Sequence, residues 1–125
     1  MKVAFDIDGT VDSDPAVFQS LLMALKAAGH QVIILTGVSS ETVSPSDVES
    51  KKQYLNSIGL GKCYNQIVCF GDPPHQAKAQ WIKKNKVDLF VDNSAANAQL
   101  AADHCLVLVP WNTLIDGKIK NVKKV

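Results

Sequence analysis

Five short apolar runs punctuate the chain, at residues 2–6, 31–35, 66–70, 87–91 and 105–109. They are rich in Val, Ile, Leu and Phe and show little polar alternation. Strands covered on both faces read this way, which points to a parallel sheet. Helical segments fill the gaps. Asp14 offers an N-cap, Pro15 suits the first helical position, and Gly29 suits the place just past the end. Between them Phe18, Leu21, Leu22 and Leu25 keep the spacing of one buried stripe. A second helix is expected from about Ser46, where Ser46-x-x-Glu49 makes a capping box, to Gly59, with Val48, Leu55 and Ile58 on a weaker face. A third follows Pro73-Pro74 and carries Ala77, Trp81 and Ile82. A fourth opens near Ser94 and is alanine-rich through Ala102.

The alternation of strand and helix, joined by right-handed crossovers, predicts an α/β fold. It is an open three-layer α/β/α sandwich, Rossmann-like, around a five-stranded parallel sheet. Residues 1–125 read as one domain, with a core over about 1–110 and a C-terminal hairpin or tail at 111–125, where Asp116-Gly117 suits a turn. Composition changes this picture little. Apolar residues make up 46%, enough for a core, and the net charge of +1 advertises no polyanionic partner. Lys118, Lys120, Lys123 and Lys124 read as a solvated tail. No apolar run approaches the roughly 20 residues that cross a bilayer, so no membrane partner is expected. Asp6 interrupts the N-terminal run too early for a signal peptide. The three cysteines form no C-x-x-C, and Cys69 and Cys105 lie in strand-like runs as small hydrophobes. A reducing, cytoplasmic location is the expectation.

Ligands of open parallel sheets sit beyond the carboxyl ends of the strands. The residues that follow each run are therefore the candidates. They are Asp6-Ile7-Asp8-Gly9-Thr10, then Thr36-Gly37, then Gly71-Asp72 and His75, then Asp92-Asn93-Ser94, then Pro110-Trp111. Asp6 and Asp8 are two apart where a strand gives out, so strand geometry sends both side chains one way. Two such carboxylates repel unless a cation or proton lies between them, and a hard divalent ion such as Mg²⁺ prefers oxygen ligands. Gly9 lets the chain leave the strand sharply and bares backbone N–H groups to an anion. An EF-hand loop does not fit, because Gly9 comes too early and Val17 stands where its closing Glu belongs. A response-regulator receiver fits poorly too: its lysine would follow the fifth strand, where this chain has Pro110.

Phe5-Asp6-Ile7-Asp8-Gly9-Thr10-Val11 resembles the first motif of the haloacid-dehalogenase (HAD)-like hydrolase superfamily. Ile33-Ile34-Leu35-Thr36-Gly37 is similar to its second motif, Lys78 to its third, and Leu89-Phe90-Val91-Asp92-Asn93 to its fourth. The resemblance spans about residues 1–109 and implies a HAD-like fold. It also implies a magnesium-dependent phosphomonoester hydrolase, a phosphatase acting through an aspartyl-phosphate. Asp6 would be the nucleophile and Asp8 the general acid and base. Thr36 would hold a phosphoryl oxygen, and Lys78 would neutralise developing charge. Gly9, Thr10 and Gly37 would join Thr36 and Lys78 in the phosphate cradle. Asp6, Asp8 through its backbone carbonyl, Asp92 and Asn93 would hold the Mg²⁺. One departure stands out: Asn93 occupies a place where many family members carry a second acid.

Neither the stretch 11–31 nor the stretch 37–77 has room for a large cap domain. Capless relatives tend to have open sites or to borrow a neighbouring subunit as cover, so a homo-oligomer is one expectation. The expected partner is a phosphorylated substrate, either a small molecule or a nucleic-acid end. Two other readings stand beside hydrolysis: phosphotransfer to another acceptor, and a weak or inactive protein that keeps the metal and phosphate cradle but only binds.

Overall fold

Side chains of the first strand alternate between two cores, and that alternation builds the molecule. Val3 and Phe5 enter one apolar cluster with Leu22 and Leu55, while Ala4 enters another with Ile82 and Ala101. The structure, a computed structural model, describes residues 1–110. The expected hairpin or tail at 111–125, with Trp111 and the lysine cluster, lies outside the described residues.

Five parallel strands form one sheet: β1 (Lys2–Phe5), β2 (Gln31–Gly37), β3 (Gln66–Phe70), β4 (Leu89–Val91) and β5 (Leu106–Leu108). Their order is β3-β2-β1-β4-β5. The chain steps outward from β1 to β3, then returns to the other side of β1 for β4. Helices α1 (Pro15–Ala27) and α2 (Pro45–Ser57) supply Leu22 and Leu55 to the first cluster. Helices α3 (His75–Asn85) and α4 (Ala95–Ala101) supply Ile82 and Ala101 to the second. The sheet therefore lies between two helical layers, as expected. Burying each large aliphatic or aromatic side chain contributes roughly 1.5–3 kcal/mol. The Phe5 and Phe18 rings meet edge to face, with centroids 6.1 Å apart. Among the described residues no inserted domain interrupts the alternation, and no helix is long and apolar enough to cross a membrane.

Two helices differ from expectation in instructive ways. Helix α2 starts earlier, capped by Ser44, whose hydroxyl accepts from the Asp47 N–H while the Asp47 carboxylate accepts from the Ser44 N–H. Both Ser44-x-x-Asp47 and Ser46-x-x-Glu49 fit a capping box. Pro45 decides between them, because its fixed φ suits the first helical position. Helix α3 buries Lys78, Ala79 and Ile82 and leaves Ala77 exposed. Its inner face is turned by a lysine, an inversion that hydrophobic spacing does not anticipate.

Candidate ligand site at the switch in strand order

β1 lies between β2 and β4, the strands laid down before and after the chain reverses direction across the sheet. Phe5 pairs with Val91, so the residues that follow them, Asp6 and Asp92, emerge side by side. The Asp6 N–H donates to the Val91 carbonyl at 3.0 Å and extends the ladder by one rung. Lys78 reaches this point from the first turns of α3. Its Nζ donates to Asp6 Oδ1 at 2.8 Å and to Asp92 Oδ2 at 3.2 Å, with all three side chains buried. The Phe90 ring lies 5.8 Å from the ammonium and completes its surroundings.

Asp92 is the better held of the two acids. Its Oδ1 accepts from the Ser94 N–H at 2.8 Å, and its Oδ2 also accepts from Asn97 Nδ2 at 2.7 Å. Asp6 has Lys78 alone among the described side chains. Burial therefore pushes the Asp6 carboxyl up to about 6; Lys78 opposes the rise, and Asp92 and Asp8 add to it.

Around this centre the other candidate residues fall into two groups. Thr10 and Asn93 join the loops after β1 and β4. The Asn93 N–H donates to Thr10 Oγ1 at 3.1 Å, and Thr10 Oγ1 donates to Asn93 Oδ1 at 3.2 Å. Gly9 lies against the same Asn93 side chain, and its N–H donates to Asp12 Oδ1 at 2.8 Å. Thr36 is fully buried at the end of β2.

Asp8 does not share the burial of Asp6. The strand ends at Phe5, and the bonds from Val11 N–H to Asp6 O and from Thr10 N–H to Ile7 O curl the chain into a tight turn. Ile7 then enters the core while Asp8 faces out, its side chain 68% exposed and its Oδ2 3.4 Å from Lys51 Nζ. The expectation that both carboxylates point one way is thus corrected, because the extended geometry it needs stops before Asp6.

A polar hollow of about 510 Å³ opens beyond the ends of β1, β2 and β3, with Asp8, Gly37, Ser39, Lys51, Asp72 and Pro74 in its wall. A second hollow of about 560 Å³, between α1 and the end of α2, contains none of the candidate residues. Among the described residues no three His, Cys, Asp or Glu side chains gather as a metal-ligand group. The oxygen donors at the centre are Asp6 and Asp92, while the Asn93 amide is engaged by Thr10 and lies against Gly9.

Sequence reasoning did not find Lys51, Asn97 or the contact of Tyr54 OH with Asp12 Oδ2 at 2.8 Å. Asn97 carried a signal, since it stands in the first turn of the helix that follows Asp92. Lys51 and Tyr54 carried none, because their partners lie some forty residues away in sequence.

No family model matches the chain, and no curated protein matches it in sequence. Solved structures match it in fold. One is a universal stress protein in complex with cAMP, with 17% identity and a TM-score of 0.52, covering 87% of this chain and 94% of that one. The shared feature is the fold. A universal stress protein family protein from Arabidopsis thaliana with AMP bound aligns at 15% identity and a TM-score of 0.49, over 87% of this chain and 90% of that one.

The first of these comparisons corrects the family reading. That fold neighbour is a universal stress protein, a different fold family from the HAD-like hydrolases. HAD-like membership, the phosphatase and hydrolase assignments, the aspartyl-phosphate route and the phosphotransfer alternative fall with it. The physical reason lies in how the motifs were recognised. An acid after the first strand, a Thr ending the second and an acid after the fourth are what many open parallel sheets carry along the carboxyl edge. Such short matches follow the architecture more than the chemistry.

Proposed function

We propose that this chain is a binding protein for a phosphorylated small molecule, with a mononucleotide as the first candidate. The ligand would lie in the hollow beyond β1, β2 and β3. The observation that carries the reading is the place of this hollow: its wall includes Gly37, which ends β2, and Asp8, in the turn after β1, next to the switch in strand order. Its volume suits a mononucleotide. A fold neighbour in complex with cAMP agrees with that ligand class.

Gly37 is the member of the expected phosphate cradle that lines the hollow; the Gly9 N–H is given to Asp12 and the buried Thr10 hydroxyl to Asn93, so those two would shape the edge and leave the anion to other donors. Asp8, Asp47 and Asp72 give the wall an acidic character that disfavours a long polyanion, so a small molecule is favoured over a nucleic-acid end. Acids in such a wall suit the hydroxyls of a ribose, which donate to carboxylates. Asp6, Asp92 and Asn93 are the residues that would hold a Mg²⁺ ion, in competition with the Lys78 ammonium that bridges the two carboxylates. The hollow is open, and a second copy of the chain covering it accompanies this reading.

Isothermal titration with cAMP, AMP, adenosine and inorganic phosphate, each with Mg²⁺ or with chelator, tests the proposal. Saturable binding of a nucleotide, tighter with Mg²⁺, is the expected result. No heat for any nucleotide at millimolar concentration overturns it.

A further inference from the structure

The hollow beyond β1, β2 and β3 has an unbalanced wall. Three carboxylates line it, those of Asp8, Asp47 and Asp72, and one cation, Lys51. A ligand that brings a phosphate must find its compensating charge here, and Lys51 is the side chain of the wall that can supply it.

The lysine is held at its base and loose at its tip. Helix α2, which carries it, is fixed at its start by the reciprocal bonds of Ser44 and Asp47. It is fixed again beyond Lys51, where Tyr54 OH donates to Asp12 Oδ2. Asp12 in turn accepts the Gly9 N–H, so the helix is tied to the loop that follows β1. The Lys51 side chain is 22% exposed, and most of its stem is covered. Its ammonium meets only Asp8 within ion-pair distance among the described residues, at 3.4 Å. Asp8 is 68% exposed and loses little when returned to water. With one partner largely in water and a separation of 3.4 Å the pair is a loose one, whereas a phosphate offers more charge and more acceptor oxygens than one carboxylate.

Resting on the binding function proposed above, we propose that Lys51 receives the phosphate of the ligand. Its ion pair with Asp8 is the arrangement without ligand. An entering phosphate takes the ammonium from Asp8, and Asp8 turns to solvent or to a donor of the ligand. Asp8 is thus a competitor that sets the affinity for anions, and Lys51 is the group that separates phosphorylated ligands from unphosphorylated ones.

Titration of AMP and adenosine into the wild type, Lys51→Met, Lys51→Arg and Asp8→Asn tests this. Lys51→Met is expected to weaken AMP at least about tenfold, the size of one lost charge-assisted bond, and to leave adenosine unchanged. Lys51→Arg keeps the charge and should bind AMP within about threefold of wild type, which ties the loss to the charge, while unchanged adenosine binding by Lys51→Met excludes a folding defect as the cause. Asp8→Asn should tighten AMP. If the wild type binds AMP and Lys51→Met binds it equally well, the role of Lys51 is overturned while the binding function stands. Equal weakening of AMP and adenosine overturns it as well. A wild type that binds neither ligand overturns both proposals.

Discussion

Gly9 lies directly against the side-chain amide of Asn93, so that a Cβ built on Gly9 would overlap its Nδ2 and Cγ atoms. The same glycine has a φ of +77°, where side chains are strained in any case. Two independent demands thus fall on one position. Gly9→Ala should destabilise the protein by roughly 2–3 kcal/mol, part from the left-handed backbone and part from displacing Asn93 off Thr10. Urea unfolding measures it. A loss below about 0.5 kcal/mol would show that the loop relaxes freely and that the contact imposes nothing.

Asp6 gives the stability an unusual pH dependence. Its carboxyl goes from an ordinary 3.8 up to about 6 in the folded protein. The folded state therefore binds this proton more tightly than the unfolded chain does. The contribution of the group is fully present below about pH 4 and is lost as pH rises through about 6, a change of roughly 3 kcal/mol. Asp6→Asn removes the titration. Its stability relative to wild type should rise between pH 4 and pH 6 and then level off. Paired urea midpoints across that window decide the matter, and a flat difference refutes the assignment.

Lys78 stabilises two buried acids at once. Lys78→Met would leave Asp6 and Asp92 facing each other without the ammonium, a change expected to cost roughly 3–5 kcal/mol at neutral pH. Adding Asp6→Asn to that variant should restore part of the loss by removing one of the charges. Thermal unfolding of the two single variants and the double variant checks this. Strictly additive losses would mean that Lys78 and Asp6 are not coupled.

Tyr54 reports on how α2 is tied to the first loop. Its phenol is pushed up to about 12, chiefly by its hydrogen bond to Asp12. Asp12→Asn removes the charge that accepts that bond, so this tyrosine should titrate closer to its ordinary value of 10.0. Ultraviolet titration of the phenolate band follows it, with Tyr64 as the internal reference among the two tyrosines. An unchanged curve would show that Tyr54 and Asp12 do not meet in solution.

The parts of this molecule that local chemistry controls were legible in the sequence. The β-branched and aromatic runs located all five strands, and Asp14, Pro15 and Gly29 framed α1 to within a residue or two. The start of α2 was misplaced because two overlapping windows carry the same cap pattern, although Pro45 held the deciding signal. On α3 Ile82 and Trp81 pack on the core as expected, and Ala77 alone was misplaced; hydrophobic spacing could not show that Lys78 also turns inward, because its two carboxylate partners are distant in sequence. Asp8 was misplaced because the strand stops one residue before Asp6. The family reading failed for a related reason. Its motifs are strand-end residues, and strand ends gather at one edge in every open parallel sheet, whatever the protein does there.

Lys78 arrives from the half of the chain built after the reversal, and Asp6 belongs to the half built before it. One ammonium therefore fastens two successive folding segments across the middle of the sheet. Helix α3 cannot swing away without uncovering two carboxylates in an apolar setting, so partial opening of this helix is penalised beyond the loss of its apolar packing through Ala79 and Ile82. In amide hydrogen exchange, α3 should open together with β1 and β4 as one cooperative unit, while α1 and α2, whose polar ties lie nearer the surface, open earlier and separately.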